Sequence, residues 1–270
     1  MISTSVDMQI VSIKIVECCF IIALYGHAKG CIELDSDGLY AFFRDAKECI
    51  GVRSYLFSTL GFTAVTYATG ALGLWGPKFI VDGTAHTPSP MSTAEASMML
   101  GGVTAVNGVV GTICGAVLGA WLAKYSERAD PLVCGLGLAV AGPFCALALQ
   151  FFQHNVTLAW VFIFISEFGL CLNWALNAAI LLSVIAPNRR STAEAIQILL
   201  SHIFGDALSP YAVGIATDAL VNKGISRPDA MRISLQSCSA VAILGSLCFL
   251  LCAIYYPRDK SRVKKQERAE

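Results

Sequence analysis

Long apolar runs alternate with short polar connections along most of this chain. Six runs reach the length of about 20 mostly apolar residues that crosses the hydrocarbon core of a bilayer as an α-helix. They cover residues 54–81, 97–122, 131–152, 156–186, 192–220 and 233–256. The pattern therefore predicts an all-α polytopic membrane protein with six transmembrane helices.

The N-terminal part of the chain does not continue this pattern. Residues 8–25 are apolar, but Lys14 and Glu17 interrupt them, and each charge at the centre of a span opposes insertion by about 2.5–3.5 kcal/mol. We therefore interpret residues 1–40 as a leader on the membrane surface or without fixed structure. The remaining parts are predicted to be a cytoplasmic approach segment (41–53), the six-helix body (54–256) and a basic cytoplasmic tail (257–270).

Composition narrows the classes of function. Hydrophobic residues make up 56% and charged residues 14% of the 270 positions, and the formal net charge is zero, whereas soluble domains carry about 25% charged residues. A disordered chain and a nucleic-acid-binding protein are therefore excluded. The 11 cysteines show no spacing typical of metal ligands, and we predict no metal and no other cofactor.

Basic residues in the connections predict the orientation, because Lys and Arg concentrate on the cytoplasmic side of membrane proteins. Most of them lie in the approach segment, in two alternate connections and in the C-terminal tail. Both ends of the six-helix body are therefore predicted to be cytoplasmic. Four charged residues on this side are predicted to form a cytoplasmic gate or to anchor the orientation: Arg128, Asp130, Arg189 and Arg190.

The six spans differ in polarity. The third (131–152) and the sixth (233–256) carry no charge or amide at depth, so we expect them to face lipid. The order is then polar, polar, apolar, repeated once, and such three-helix repeats are typical of secondary transporters. In the second span Gly111, Gly115 and Gly119 form overlapping Gly-x-x-x-Gly units, which predict close helix packing.

Ionisable side chains inside the spans are the strongest functional signal, because such groups normally face a cavity or a partner. In the fifth span His202, Asp206 and Ser209 share one arc of the helix. We predict that they form a substrate and proton cavity with residues of three other spans: Glu167, Trp174, Asn107, Thr63 and Tyr67. Two structural interpretations stay open: His202 and Asp206 satisfy each other, or Asp206 braces the helix distortion expected at Pro210.

An enzymatic role is not indicated. Gly205-Asp206 is similar to the end of the Gly-x-Gly-Asp motif of intramembrane aspartyl proteases, but Ile203 replaces the first glycine of that motif. A protease dyad also needs two carboxylates that share one site. No Gly-x-Ser-x-Gly nucleophile motif occurs in the sequence, and we predict that the chain is not an enzyme.

The fifth span carries the most specific string of the chain. Residues 186–214 contain Pro-x-Arg-Arg-Ser-Thr-Ala and then Ser-His-x-x-Gly-Asp-Ala-x-Ser-Pro-Tyr. This string closely resembles the Spinster family of the major facilitator superfamily, and the resemblance extends over residues 41–256. It includes the strings Asn173-Trp174-Ala175, Arg128-Ala129-Asp130-Pro131 and Trp75-Gly76-Pro77. The chain departs from the family pattern at two positions: Ala179 stands where an acid is common, and Leu208 where glycine is usual.

The resemblance implies a transporter of amphiphilic lipids, such as lysophospholipids, sphingosine or sphingosine-1-phosphate. Members work by alternating access, some of them coupled to protons, in lysosomal, late endosomal or plasma membranes. The resemblance also adds Asn173 to the cavity residues.

The superfamily has twelve helices, and this chain matches only the C-terminal six. Because the cavity lies between the two halves, we do not expect the chain to transport alone. Its expected partners are the lipid substrate, the bilayer, and the missing N-terminal half or a full-length relative. The alternative is a truncated, non-transporting membrane subunit that associates with or inhibits a full-length transporter.

Overall fold

A computed structural model describes residues 36–85, 87 and 90–268, and within them the chain is helical apart from short turns. The predicted leader lies outside the described residues as far as residue 35. The α-helices are α1 (Ser36–Ile50), α2 (Arg53–Thr84), α3 (Thr93–Leu122), α4 (Ala129–Phe151), α5 (Val156–Cys171), α6 (Asn173–Val184), α7 (Arg190–Leu200), α8 (Leu208–Asn222) and α9 (Arg227–Glu267). A 3₁₀ turn (Pro187–Arg189) precedes α7, and a π-helical segment (Ser201–Ala207) joins α7 to α8.

Five stretches of the described residues are long and apolar enough to cross a membrane. They correspond to the second to sixth predicted spans: Thr93–Leu122, Ala129–Phe151, Val156–Val184, Pro187–Asn222 and Arg227–Glu267. The first predicted span lies in α2, which has 32 residues and reaches about 48 Å at 1.5 Å per residue. Threonine, tyrosine and glycine residues make α2 less apolar than the other five, so its place in the bundle depends on packing against them.

Helix α9 lies at the centre of the packing. It makes its largest contacts with α2 and α4, and α4 packs along α5. In the most apolar windows, 56% of the residues of α4 and 44% of those of α9 are buried, against 22% in α3. The expectation that the third and sixth spans face lipid is therefore wrong for much of their surface, because an apolar span without charges can pack against other helices as well as against lipid.

Small residues explain how closely these helices approach. A Cβ atom on Gly142 of α4 would lie 3.0 Å from the carbonyl oxygen of Ser239 in α9, and one on Gly137 would lie 2.7 Å from that of Gly169 in α5. In α3, a Cβ on Gly115 would lie 3.0 Å from the Cα of Leu172. The predicted packing role of the glycines in the second span is thus confirmed.

The opposite face of α3 packs against no other described helix. It consists of large apolar side chains that are exposed: Met98, Val106, Val109, Val110, Ile113, Val117 and Trp121. In a bilayer this face contacts lipid or another membrane protein.

Helix α9 continues through Pro257 to Glu267. Its extension beyond Pro257 packs on the bundle, since Val263 is buried and Asp259 accepts hydrogen bonds from the hydroxyl (2.7 Å) and the backbone N–H (3.1 Å) of Ser54. The segment predicted as a basic tail is therefore helical as far as Glu267 and tied to the start of α2.

Candidate functional site

The His202–Asp206 pair lies in the π-helical segment (Ser201–Ala207). The Nδ1 atom of His202 is 2.5 Å from Oδ2 of Asp206. The side chains are 29% and 16% exposed, so the pair is reachable from the surface and is not sealed in the core. This contact is the one that the structural interpretation expects, in which His202 and Asp206 satisfy each other.

Three neighbouring residues explain why the helix widens here. Pro210 has no N–H with which to bond the carbonyl of Asp206, four residues earlier, and Trp75 of α2 donates to the carbonyl of Pro210 (2.9 Å). Thr66 of α2 donates its hydroxyl to the carbonyl of Ser201 (2.9 Å), at the start of the widened turn. The distortion expected at Pro210 is therefore present as a π-helix, a form that is frequent at functional sites.

Glycines bring the π-helix against α2. A Cβ atom on Gly205 would clash with the side chain of Thr66, and one on Gly70 would lie 2.7 Å from the Cα of Asp206 and 2.9 Å from the hydroxyl of Ser209. Asp206 and Ser209 therefore converge on Gly70. Ser209 is buried, and its hydroxyl has no hydrogen-bond partner among the described residues.

A second polar centre lies between α3 and α5. The hydroxyl of Thr104 is 2.9 Å from Oε1 of Glu167, and Asn107 donates its amide to the carbonyl of Phe164 (3.3 Å). Oε2 of Glu167 and Oδ1 of Asn107 are buried without a hydrogen-bond partner in the described part of the chain. Sequence reasoning found Glu167 and Asn107 but missed Thr104, one helical turn before Asn107.

A buried amide chain links three helices. Asn177 of α6 donates to Oε1 of Gln197 in α7 (2.8 Å), and Gln197 donates to the hydroxyl of Thr59 in α2 (3.1 Å). Asn177, Gln197 and Thr59 are all buried. Gln197 was missed from the sequence, although an amide inside an apolar span is a signal that could have found it.

Among the described residues, Asn173 and Trp174 form no hydrogen bond with the His202–Asp206 pair or with Glu167. Asn173 is buried and donates to the carbonyls of Gly169 and Leu170 (both 3.1 Å) in its own span. Trp174 is 44% exposed and packs edge-on against Phe62, with ring centroids 5.2 Å apart.

Thr63 and Tyr67 face a different environment from Thr66 and Gly70. Thr63 donates to the carbonyl of Thr59 (2.8 Å) and the hydroxyl of Tyr67 is 3.3 Å from that of Ser237 in α9. Both line an open, mostly apolar groove of about 220 Å³ between α2, α9 and Phe204 of the π-helix. The structure thus separates them from the side of α2 that contacts Asp206.

Three of the four predicted gate or anchor residues contact α1 or α9 through their side chains. Arg189 pairs with Asp45 (3.3 Å) and Glu48 of α1, and Arg190 pairs with Glu267 of α9 (3.1 Å). Asp130 accepts a hydrogen bond from Tyr256 (2.9 Å), and the backbone N–H of Arg128 donates to Ser126 (3.2 Å).

Helix α1 also buries a thiol beside its ion pairs. Burial raises the pKa of Cys49 to about 11, and the nearby guanidinium of Arg189 opposes that rise. Cys49 is 2% exposed, so α1 is packed at its C-terminal end as well as held by charge.

A bundle of apolar helices with an ionisable pair on a π-helical turn is the architecture of a multi-pass integral membrane protein. The chain belongs to the Major Facilitator Superfamily, whose family model matches residues 49–270. This superfamily points to a transporter rather than an enzyme.

Within the superfamily, the chain is similar to Spinster proteins. "Protein spinster homolog 1" of Xenopus tropicalis is 38% identical over 250 residues, which are 87% of this chain and 47% of that protein. The human protein of the same name is 37% identical over 251 residues (87% and 48%), and "Sphingosine-1-phosphate transporter SPNS2" of Mus musculus is 36% identical over 236 residues (84% and 43%). The chain spans about half the length of these curated relatives.

A solved structure shares the fold. The crystal structure of a bacterial homologue of the human lysosomal transporter Spinster, in an inward-facing and unoccupied conformation, matches with a TM-score of 0.67 at 17% identity. The match covers 84% of this chain and 52% of the bacterial chain. The family model and the curated relatives confirm the resemblance recognised in residues 186–214, and this structure confirms the fold.

Proposed function

We propose that this chain forms the C-terminal half of a transporter for amphiphilic lipids, working by alternating access. In this proposal the His202–Asp206 pair borders the substrate path and makes transport sensitive to protons. The substrate class is lysophospholipid, sphingosine or sphingosine-1-phosphate, since one relative is named as a sphingosine-1-phosphate transporter.

The geometry of the pair carries the proposal. An acid and an imidazole inside an apolar span are costly to retain unless they face a cavity or a partner. Here they are partly exposed on a π-helical turn, as described above, and large apolar side chains are exposed on the same element and just after it: Phe204, Leu208 and Tyr211. A polar pair beside apolar and aromatic groups suits a lipid that has a polar head and a long tail.

The chain is expected to need a second half. It spans about half the length of its curated relatives, and in transporters of this type the substrate site lies between two halves. We propose that the N-terminal half, from a separate chain or a full-length relative, completes the cavity, with Arg128, Asp130, Arg189 and Arg190 at its cytoplasmic gate.

Uptake in vesicles tests the transport proposal. The full chain is reconstituted alone and together with a full-length Spinster relative made transport-deficient by substitutions in its N-terminal half, and radiolabelled lysophosphatidylcholine and sphingosine-1-phosphate are supplied outside. We expect no uptake by the chain alone. We also expect no uptake when it is combined with the transport-deficient relative, whose N-terminal half is defective. Uptake should appear when the chain is paired with an intact, isolated N-terminal half. Absence of uptake with every N-terminal half, from a chain shown to be folded, would contradict the proposal.

The exposed apolar face of α3 favours a second function. An apolar face that no other described helix covers suits contact with another membrane protein, and a non-transporting subunit would use it to bind and inhibit a full-length relative. Co-expression separates the two functions, because an inhibitory subunit co-purifies with an active relative and lowers its flux. Substituting Val109 and Val117 of that face by serine would then weaken co-purification.

The location is proposed from the relatives as well. One solved homologue is described as similar to a lysosomal transporter, so we propose a lysosomal or late endosomal membrane, with the plasma membrane as the alternative. Imaging of the tagged chain beside markers of both membranes tests this.

A further inference from the structure

We propose that a basic face at the C-terminal end of α9 binds the anionic headgroups of phospholipids in the adjoining leaflet of the membrane. This basic face consists of Arg258, Arg262 and Lys265, whose side chains are all exposed. The inference goes beyond the proposed transport of lipids, because these headgroups are held at the surface of the bilayer and are not carried across it.

The basic face continues the surface of α9 that contacts the bilayer. Between residues 243 and 254 every exposed side chain is leucine or isoleucine, whereas contacts between membrane helices favour small residues, so this surface faces lipid. Six residues follow one another along α9 at intervals of three or four: Leu247, Leu251, Ile254, Arg258, Arg262 and Lys265. Because α9 is one continuous helix from Arg227 to Glu267, side chains at these intervals share one face.

The end of α9 carries more positive charge than its own acids neutralise. Residues 258–268 contain six cations and two acids. Both acids have partners on other helices, since Asp259 accepts hydrogen bonds from Ser54 and Glu267 pairs with Arg190. Within the described ranges, the three cations of the basic face form no ion pair. Their charge is therefore available to anions from outside the chain.

The spacing along α9 brings these charges to the level of the headgroups. At 1.5 Å per residue, Arg258 lies about 6 Å and Arg262 about 12 Å beyond Ile254, and the headgroup layer is about 5–7 Å thick on each side of the hydrocarbon core. Side chains of a helix lean toward its N-terminus, which here is the direction of the membrane. Lys265, about 16 Å beyond Ile254, leans back to within the screening length of about 8 Å.

A second helix brings a fourth cation beside the basic face. The guanidinium carbon of Arg53, at the start of α2, lies 5.0 Å from the ring centroid of Tyr255. Tyr255 precedes Arg258 by three residues, a spacing at which helical side chains are neighbours with Cβ atoms about 5–6 Å apart. Tyrosine is enriched where membrane helices meet water. Two guanidinium groups, which suit phosphate oxygens by their forked geometry, thus flank a ring at the membrane surface.

Charge complementarity identifies the class of lipid. Basic residues predict that the C-terminal end of the chain is cytoplasmic, and anionic lipids give the cytoplasmic leaflet a negative surface potential. Clusters of basic residues directly beside a span bind such lipids. Orientation alone depends on the number of cations near a span, whereas their alignment with the lipid-facing side of α9 is a separate property, which binding of headgroups explains.

A protein partner of the calmodulin type fits this segment less well. Such a partner takes the apolar side of a basic amphipathic helix into its groove. Here that side is used within the chain, since Tyr256 and Val263 are buried and the ammonium group of Lys260 lies 5.1 Å from the ring centroid of Tyr256. The charged side remains available, and it suits a layer of anionic headgroups.

Native mass spectrometry of the purified full chain tests the proposal. The chain in detergent micelles receives equal amounts of phosphatidylserine and phosphatidylcholine with identical acyl chains, in 0.1 M ammonium acetate. One cation near an anionic membrane surface contributes about fivefold to binding, and we expect bound phosphatidylserine to exceed phosphatidylcholine about three- to fivefold. In 1 M ammonium acetate the excess should largely disappear, because the screening length falls from about 10 Å to about 3 Å.

Variants assign the excess to the basic face. Arg258→Gln combined with Arg262→Gln should bring the ratio of the two lipids close to one, and the corresponding pair of lysine substitutions should keep most of the excess. Lys124→Gln combined with Lys223→Gln is the matched control, because it removes the same charge from exposed side chains elsewhere; it should keep the excess. Ser261 is exposed and its hydroxyl donates to the carbonyl of Arg258 (2.8 Å), so Ser261→Glu should reduce the excess and Ser261→Ala should not.

Three results would overturn the proposal. The first is equal binding of the two lipids by wild type, or an excess of phosphatidylserine that survives the double glutamine substitution. The second is competition by glycerophosphoserine, the headgroup without acyl chains, at the concentration at which phosphatidylserine binds, since the basic face would then be a site for soluble anions. The third is capture of calcium-loaded calmodulin without any selectivity among lipids, which would assign the face to a protein.

Discussion

The contact between Gly205 of the π-helix and Thr66 of α2 makes a strong prediction about stability. A Cβ atom at position 205 would lie 2.7 Å from the Cβ and 3.0 Å from the carbonyl carbon of Thr66, with the Thr66 hydroxyl closer still. Gly205→Ala therefore pushes α2 and the π-helix apart or turns the Thr66 side chain away from the carbonyl of Ser201.

Three terms set the magnitude. Overpacking a tight contact costs about 1–3 kcal/mol, and loss of the Thr66–Ser201 hydrogen bond adds about 0.5–1.5 kcal/mol. Alanine regains about 0.5–1 kcal/mol because glycine is a poor helix former. The net expectation is a loss of about 0.5–4 kcal/mol of unfolding free energy, or a fall of about 1–16 °C in the unfolding midpoint.

The assay is thermal unfolding of the purified chain in detergent, followed by intrinsic fluorescence. Gly108→Ala is the matched control, because a Cβ atom there meets nothing within 4 Å; it should raise the midpoint slightly. Thr66→Ala in the Gly205→Ala background removes the hydroxyl and should recover part of the loss. If Gly205→Ala were as stable as Gly108→Ala, the close contact between the π-helix and α2 would be refuted.

Three further outcomes are expected. Gln197→Leu should lower the unfolding free energy by about 1–3 kcal/mol, because it leaves a buried amide of Asn177 without its acceptor, and adding Asn177→Leu should cost little more. Arg189→Ala should increase proteolysis within Ser36–Ile50, with a difference from wild type that shrinks in 1 M salt, as limited digestion will show. The pKa of Cys49 in the folded chain is raised to about 11 from the ordinary 9.0. Its contribution to stability is therefore complete below pH 9 and is lost as the pH rises from 9 to 11. Mass spectrometry should find little alkylation of this buried thiol at pH 8 until the chain unfolds.

Local patterns predicted those parts of the fold that depend on nearby residues. Apolar runs defined the spans, and the spacing of His202 and Asp206 predicted their contact, because both are properties of one helix. Pro210 predicted a distortion for the same reason. The form of that distortion was not predictable, since the π-helix also depends on Thr66 and Trp75 of a distant helix.

Side chains whose partners lie on other helices were the least predictable. Thr104 faces Glu167 only because α3 and α5 pack at a particular rotation, which no residue spacing within either span reveals. Thr63 and Tyr67 share a polar stripe with Thr66 in sequence, yet they line a separate groove. Burial of α4 and α9 was missed because an apolar surface does not distinguish contact with lipid from contact with protein.

The pH dependence of lipid uptake tests the role of the His202–Asp206 pair most directly. Uptake of radiolabelled lysophosphatidylcholine is measured from pH 5 to pH 8 in vesicles that contain the chain with an N-terminal half, comparing wild type, Asp206→Asn and the control Asp218→Asn. Wild type and Asp218→Asn should show the same change of rate with pH, and Asp206→Asn a flat profile. An unchanged profile in Asp206→Asn would contradict the role assigned to the pair.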